Sequence, residues 1–188
     1  MRKVKLQLQT SLDGYIADKD NGMAWITWNQ DQDFIDEANG LIDTSDTIIM
    51  GRKLAEGFIP YWKELTAKPD DPQYTFAMKM TDTPKVVFSK TLQESDWGNT
   101  TVANGELRAE INKLKNEDGK DVIVYGGGSL VSALIKENLI DEYNLFVNPA
   151  ILGKGMSIYQ MLENTIQLKL LRSLQLNCGI IMLCYQPA

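Results

Sequence analysis

The chain contains no histidine. That absence removes Ser-His-Asp and Cys-His machinery, together with the commonest zinc ligand. Catalysis, if there is any, falls to carboxylates, lysine, tyrosine, bound water or a cofactor. Cysteine is nearly as scarce, with only Cys178 and Cys184, both in the final apolar segment. They make no disulfide scaffold and read as reduced thiols with no cation beside them to activate them. Catalysis is not expected to depend on either one. No apolar run approaches the roughly 20 residues of a membrane span. Arg2, Lys3 and Lys5 are interspersed with apolar residues instead of preceding an apolar block, so no export signal is read there. Asn99-Thr100-Thr101 is then a chance match to the glycosylation pattern, and a cytoplasmic setting is the expectation. A basic excess is missing too: 25 acidic against 19 basic residues leave a net charge of −6. That balance argues against non-specific nucleic-acid binding.

What is present is ordinary for a globular protein: 188 residues, 44% hydrophobic and 23% charged, enough for one domain with a sizeable core. The most informative stretch is Val122-Ile-Val-Tyr-Gly126-Gly-Gly-Ser129, an apolar run that stops in three glycines. Its β-branched start reads as a buried strand, and Leu130, Val131, Leu134 and Ile135 then fall on one face of a helix. A strand that turns through glycines into a helix leaves N–H groups pointing outward at the positive end of the dipole. Three glycines in a row exceed what a turn requires.

Elsewhere the pattern alternates strand and helix. Val4 to Gln9 alternates apolar and polar residues and reads as a strand ending at the turn Asp13-Gly14. Asp18 to Asn29 is a polar loop carrying Trp25 and Trp28, and a helix follows from Asp31 to about Leu41, with Phe34, Ala38 and Leu41 on one side. Thr47 to Met50 and Val86 to Phe88 are short buried strands. Between them, Pro60 to Pro84 holds four of the six prolines and reads as irregular, with a short helix near Tyr74 to Met80. Thr100 to Ala103 suits an edge strand. Asn104 is placed to cap a helix with Leu107, Ile111 and Leu114 on one face, ending near Gly119. Glu142 to Ile151 is strand-like, Gly153 and Gly155 suggest a turn, and the strands Gln167 to Leu176 and Ile180 to Tyr185 flank the turn Asn177-Cys178-Gly179. The expected fold is a three-layer α/β/α domain with a mostly parallel central sheet and an antiparallel C-terminal hairpin.

If the strands ending at Gly51-Arg52-Lys53, Ser89-Lys90-Thr91 and Gly126-Gly127-Gly128-Ser129 are parallel, their ends share one edge of the sheet. Ligands bind outside that edge. Two lysines, an arginine, three hydroxyls and free N–H groups would then face an anion, which favours a phosphate-rich ligand. The pattern is not the common dinucleotide fingerprint, because Val131 stands where the third glycine would be. Nor is Gly153-Lys154-Gly155 a Walker loop, since its glycine spacing is wrong.

Several segments, in order, carry a resemblance. They are Ser11-Leu-Asp-Gly-Tyr-Ile-Ala17, Ile49-Met-Gly-Arg-Lys53, Val86-Val-Phe-Ser-Lys-Thr-Leu92, Val124-Tyr-Gly-Gly-Gly-Ser129, and Asp141 to Pro149 with Leu152-Gly-Lys-Gly155. Together they resemble dihydrofolate reductases and the reductase domain of RibD/RibG riboflavin-biosynthesis proteins. Gly51-Arg52 with Tyr61-Trp62 looks most like the stand-alone bacterial forms. The resemblance implies that Ile16 and Ala17 line the nicotinamide side and that Gly22 and Met23 sit in a mobile loop. It implies that Gly51, Arg52 and Lys53 hold phosphates, that Ser89 and Lys90 flank the adenosine ribose, and that Gly126, Gly127, Gly128, Ser129 and Leu130 cradle the pyrophosphate. Two departures stand out. Leu54 replaces the family's threonine, and the folate-binding carboxylate falls on Asp31 or Asp33, depending on whether Trp25 or Trp28 aligns. Either acid could equally be a helix N-terminal carboxylate complementing the dipole. The zinc-binding deaminase half of bifunctional RibD proteins has no counterpart in these residues.

The expected activity is an NADPH-dependent reduction of a flat heterocycle of the pteridine or pyrimidine type, resembling that of 5-amino-6-(5-phosphoribosylamino)uracil reductase. Trp25, Tyr61 and Trp62 are candidates for stacking on the ring. Arg52, Lys53 and Lys90, with no acid in the ribose-binding position, favour NADPH over NADH. Two alternatives stay open: a reductase of an unrelated carbonyl or imine compound, and a nucleotide-binding protein without turnover. A homodimer is expected from the apolar residues between Leu168 and Tyr185 on an edge hairpin, and from the resemblance.

Overall fold

A computed structural model describes residues 1–27 and 31–188; Trp28 and the end of the Asp18 to Asn29 loop lie outside the described residues. The first strand, β1 (Val4–Thr10), is followed by a short β2 (Tyr15–Asp18), α1 (Gln32–Asp43) and β3 (Ser45–Gly51). Next come α2 (Arg52–Leu65), α3 (Tyr74–Asp82), β4 (Lys85–Phe88), β5 (Thr100–Ala103) and α4 (Leu107–Asn116). The glycine run joins β6 (Asp121–Gly126) to α5 (Gly128–Lys136), and β7 (Glu142–Val147), β8 (Gly155–Ser157), β9 (Leu168–Gln175) and β10 (Ile181–Pro187) complete the chain.

Eight strands form one sheet in the order β5-β4-β3-β6-β1-β7-β10-β9. The first six are parallel, and the β9–β10 hairpin closes the sheet antiparallel to β7. On one face Ile111 of α4 and Val131, Leu134 and Ile135 of α5 bury against Val4, Leu6 and Leu8 of β1 and Val122 and Val124 of β6. On the other, α2 and α3 pack Ala55, Ile59 and Met80 on Ile48, Met50, Val87 and Ile123. Beside them, Phe34 and Ala38 of α1 cover Phe146 and Met182. This is the three-layer α/β/α arrangement with a mostly parallel sheet and an antiparallel end.

Four local expectations differ. The stretch from Pro60 is not irregular at its start, because α2 runs through Pro60 to Leu65. Pro60 and Glu56, whose carbonyl loses its helical donor, both face water, while Ala55, Ile59 and Leu65 bury the opposite stripe. Asn104 does not cap α4: Glu106 does, accepting from the N–H groups of Arg108 (3.1 Å) and Ala109 (2.8 Å). Asn104 instead donates its amide to the carbonyls of Ser89 (3.0 Å) and Leu92 (2.6 Å), fastening the loop after β4. β7 stops at Val147, well before Ile151. Finally, Gly155 belongs to β8, which pairs with β2 in a separate two-stranded ribbon, and a Cβ there would collide with the Ala17 carbonyl. Strands of four and three residues are too short to show a period of two.

Candidate active site

Parallel pairing brings the three polar strand ends to one edge. Met50 of β3 lies opposite Gly126 of β6, and Gly51 lies opposite Phe88, the residue before Ser89. Gly51 N-caps α2 and Gly127 N-caps α5, and neither helix start receives a side-chain cap. The N–H groups of both first turns therefore point outward without side-chain acceptors. Two features of the turn demand glycine. Gly126 and Gly127 have φ of +117° and +81°, and a Cβ on Gly127 would stand 3.3 Å from Gly51 Cα. The two helix starts touch backbone to backbone, and their positive dipole ends combine into one place for an anion.

Most sequence-predicted cofactor residues gather here. Ser129 is exposed at the start of α5, and Leu130 Cβ lies 3.7 Å from where a Gly51 Cβ would be. Ile16 and Met156, from the β2–β8 ribbon, crowd Gly128: a Cβ there would meet Met156 Sδ at 2.5 Å and Ile16 Cδ1 at 3.3 Å. Ala17, one residue on, is buried. The cations are engaged unequally. Arg52 pairs with Glu56 along α2, and Lys90 donates to the Gly105 carbonyl at 2.9 Å. Lys53 is exposed and has no ion pair among the described residues. Ser89 Oγ accepts from the N–H groups of Thr91 (3.1 Å) and Leu92 (2.8 Å), so only its O–H remains to donate. Leu54, where the resemblance expects threonine, packs into the core beside Ile48 and Met50 and adds no hydroxyl.

Asp31 and Asp33 stand together at the start of α1. Asp31 is the N-cap residue but makes no cap bond, and its Oδ1 is buried without a partner among the described residues. Asp33 is held by two N–H groups, Phe34 to Oδ1 and Asn177 to Oδ2, both at 2.8 Å. A hydrogen bond between the two carboxyls raises the Asp31 pKa above the ordinary carboxylate range and lowers that of Asp33. Of the two, Asp31 is the carboxyl that keeps its proton to higher pH, and Asp33 is the one that loses it first.

Residues 2–182 match the family model of the RibD C-terminal domain. The chain belongs to the RibD C-terminal domain family. It is 32% identical over 186 residues to the uncharacterized Bacillus subtilis protein YyaP, covering 98% of this chain and 94% of YyaP. Among solved structures it resembles a protein named for riboflavin biosynthesis from Shewanella sp. PV-4, with a TM-score of 0.73, 26% identity and 99% of each chain covered. It is also 26% identical to the riboflavin biosynthesis protein RibD of Corynebacterium ammoniagenes over 87% of this chain, which spans 48% of that longer protein.

In this RibD C-terminal domain the aromatic candidates part company. Trp25 donates its indole N–H to the Gly22 carbonyl at 3.2 Å within its own loop. Tyr61 is half exposed, with its hydroxyl 3.3 Å from Gln73 Oε1. Trp62 packs edge-on against Phe58, Tyr61 and Phe76 as part of the core, and its Nε1 is buried without a partner among the described residues. Two supports escaped the sequence reading. Fully buried Asn148 accepts from Thr27 N (2.9 Å) and donates to Gln9 Oε1 (2.7 Å), tying the Trp25 loop to β1 and β7. Asp13 accepts from Ser11 Oγ and from the N–H groups of Leu152 and Gly153, bonds that hold its pKa below the ordinary value and anchor the approach to β8. Asn148-Pro149 after a strand was the one available hint, since proline ends the ladder and frees the preceding side chain for other work.

Proposed function

We propose that the protein is an NADPH-dependent reductase of a flat heterocycle of the pteridine or pyrimidine type, working as a cytoplasmic homodimer. The observation that carries this reading is the contact of Gly127 with Gly51, which sets two uncapped helix N-termini side by side over a cradle that a single Cβ would fill. Such a cradle suits a pyrophosphate. Gly51, Arg52 and Lys53 would hold phosphate from one helix, Gly126 to Leu130 from the other, with Ser89 and Lys90 one strand further out. Ile16 and Ala17, on the ribbon against Gly128, would line the nicotinamide side. NADPH, when bound, supplies a hydride.

The chain's own residues supply a proton and an enclosure. Asp31 keeps its proton to higher pH than an ordinary carboxyl because Asp33 is the more acidic member of the pair, and its buried Oδ1 has no partner among the described residues. Asp33 stays ionised and fixed by Phe34 N and Asn177 N. Trp25 and Tyr61 would flank the ring, with Trp62 as the wall behind. The dimer would form through β9, an edge strand that leaves Leu168, Leu170 and Leu171 exposed.

The test is a titration with NADPH followed by nicotinamide absorbance on adding pyrimidine and pterin substrates. Binding, and oxidation of NADPH by at least one heterocycle, are expected. A protein that binds no NADPH overturns the reading; one that binds it but turns over no compound is the nucleotide-binding protein of the alternative.

A further inference from the structure

One side chain closes the turn in which the chain leaves β4. β4 lies between β3 and the edge strand β5, and Asn104 is the first residue after β5. Both hydrogens of its amide go to this turn, to the carbonyls of Ser89 at 3.0 Å and Leu92 at 2.6 Å. From within the turn, Ser89 Oγ accepts from Thr91 N at 3.1 Å and from Leu92 N at 2.8 Å. Four hydrogen bonds thus fix one turn from Ser89 to Leu92. Asn104 is itself exposed, so burial does not explain its place there.

The turn starts level with the anion cradle. Phe88 lies opposite Gly51, the residue that caps α2, so Ser89 follows β4 where Arg52 and Lys53 follow β3. Lys90 and Thr91, between the two carbonyls that Asn104 holds, are exposed. Lys90 Nζ donates to the carbonyl of Gly105 at 2.9 Å, one residue past Asn104. The next residue, Glu106, caps α4. The N–H groups of Ala109 and Arg108 hold its carboxyl below the ordinary range, and the charges of Arg108 and Lys90 add to this. The segment from Asn104 to Glu106 therefore holds both the backbone of the turn and its cation. A phosphate arriving at Lys90 has to displace a neutral carbonyl.

We propose that Asn104 is a positioning residue for the nucleotide: by closing the Ser89–Leu92 turn it fixes Lys90 where a ribose 2′-phosphate is read, and it sets the share of the NADPH preference that comes through β4. The assignment deepens the reductase reading and rests on it for the identity of the ligand. Without the Asn104 amide, the Ser89 and Leu92 carbonyls turn to water and the turn loosens, while β4 keeps its ladders to β3 and β5. The turn must then be ordered at the moment of binding, which weakens the phosphate contact. A nucleotide without the 2′-phosphate makes no ionic contact with Lys90 and is bound as before. A residue that only held the fold together would weaken every nucleotide alike.

The experiment is a calorimetric titration with NADPH, NADH, 2′-phospho-ADP-ribose and ADP-ribose, which needs no substrate. Asn104→Ala is expected to bind the two 2′-phosphorylated nucleotides about fivefold more weakly, part of the roughly tenfold that one charge-assisted contact contributes, and the other two as wild type does. Asn104→Ser, which keeps a hydroxyl donor, falls between. In a Lys90→Ala background the Asn104→Ala loss shrinks below about twofold, because the two residues act as a unit. In a Lys53→Ala background it persists in full, because that cation is held separately on α2. An unchanged preference in Asn104→Ala, equal losses for all four nucleotides, or a loss undiminished in Lys90→Ala overturns the assignment. Wild type that binds all four alike also overturns it and leaves a reductase that does not read the 2′-phosphate. Wild type that binds none of them removes the reductase reading, and the assignment falls with it.

Discussion

Asp33 raises the pKa of Asp31 through a hydrogen bond between the two carboxyls at the start of α1, while Phe34 N and Asn177 N donate to Asp33. After the bond between the carboxyls, the donor that distinguishes them is the Asn177 N–H, which reaches Asp33 and not Asp31. Neighbouring carboxyls that split their pKa values in this way are a recurrent source of an acid usable near neutral pH.

The pair makes turnover pH-dependent with a definite sign. A general acid is needed protonated, so the rate falls as pH rises through the raised Asp31 pKa. Asp33→Asn removes the anion that raises it and is expected to move this limb to lower pH, whereas Asp31→Asn abolishes it and slows turnover by roughly 10²–10⁴-fold. Stability responds in two opposite ways. Asp31, raised in the folded state, adds stability at low pH that is lost as pH rises through its folded value; Asp33, lowered, adds stability that is lost as pH falls through its own. Rate–pH profiles and denaturation curves of both variants check this.

Gly127→Ala is expected to destabilise the fold by about 1–3 kcal/mol, through backbone strain. Its φ is +81° and its Cβ would press on Gly51 Cα, so nucleotide binding weakens with it. Gly57, also a glycine of the α2 region, is the contrasting case. It lies inside the helix with nothing within 4 Å of a Cβ, so Gly57→Ala stabilises by roughly 0.5–1 kcal/mol. Thermal melts with and without NADPH separate the two effects.

NADPH is expected to bind more tightly than NADH by about tenfold or more per charge-assisted contact. Lys53 is the cation free to make that contact, since Arg52 is paired with Glu56 and Lys90 is drawn to Gly105. Lys53→Glu narrows the preference most, Lys90→Glu and Arg52→Glu less. Calorimetric titration with both nucleotides is the measurement. Equal affinities in wild type would show these to be solvated surface charges.

In solution the scattering mass is expected to be twice that of the chain. Leu170, 49% exposed on edge strand β9, is the place to break the pairing. Leu170→Lys yields the monomer mass. A wild-type protein already monomeric at micromolar concentration removes the proposal.

The elements with a strong local signature were legible in the sequence. The β-branched run before Gly126 could only be a buried strand, the glycines after it excluded a side chain at the turn, and the period of Phe34 and Ala38 marked α1. The alternation of β1 announced a strand but suggested nothing of its place at the centre of the sheet, because alternation reports which side chains share a face and not what covers that face. Tertiary structure decided the rest. It brought Gly51 against Gly127 across 76 residues, which required β3 and β6 to pair in parallel. It carried α2 through Pro60, since the broken hydrogen bond falls on the solvent side while the buried stripe continues. It turned Asn104 from a capping residue into a fastener of the loop after β4, and set Asn148 to tie the Trp25 loop to β1. It raised the pKa of Asp31 and lowered that of Asp33, a distinction absent from two aspartates two residues apart, because the N–H of Asn177 arrives from the far end of the chain. Local sequence dictates conformation through propensity and period; which polar groups are left without partners, and therefore free for chemistry, depends on what the folded chain places beside them.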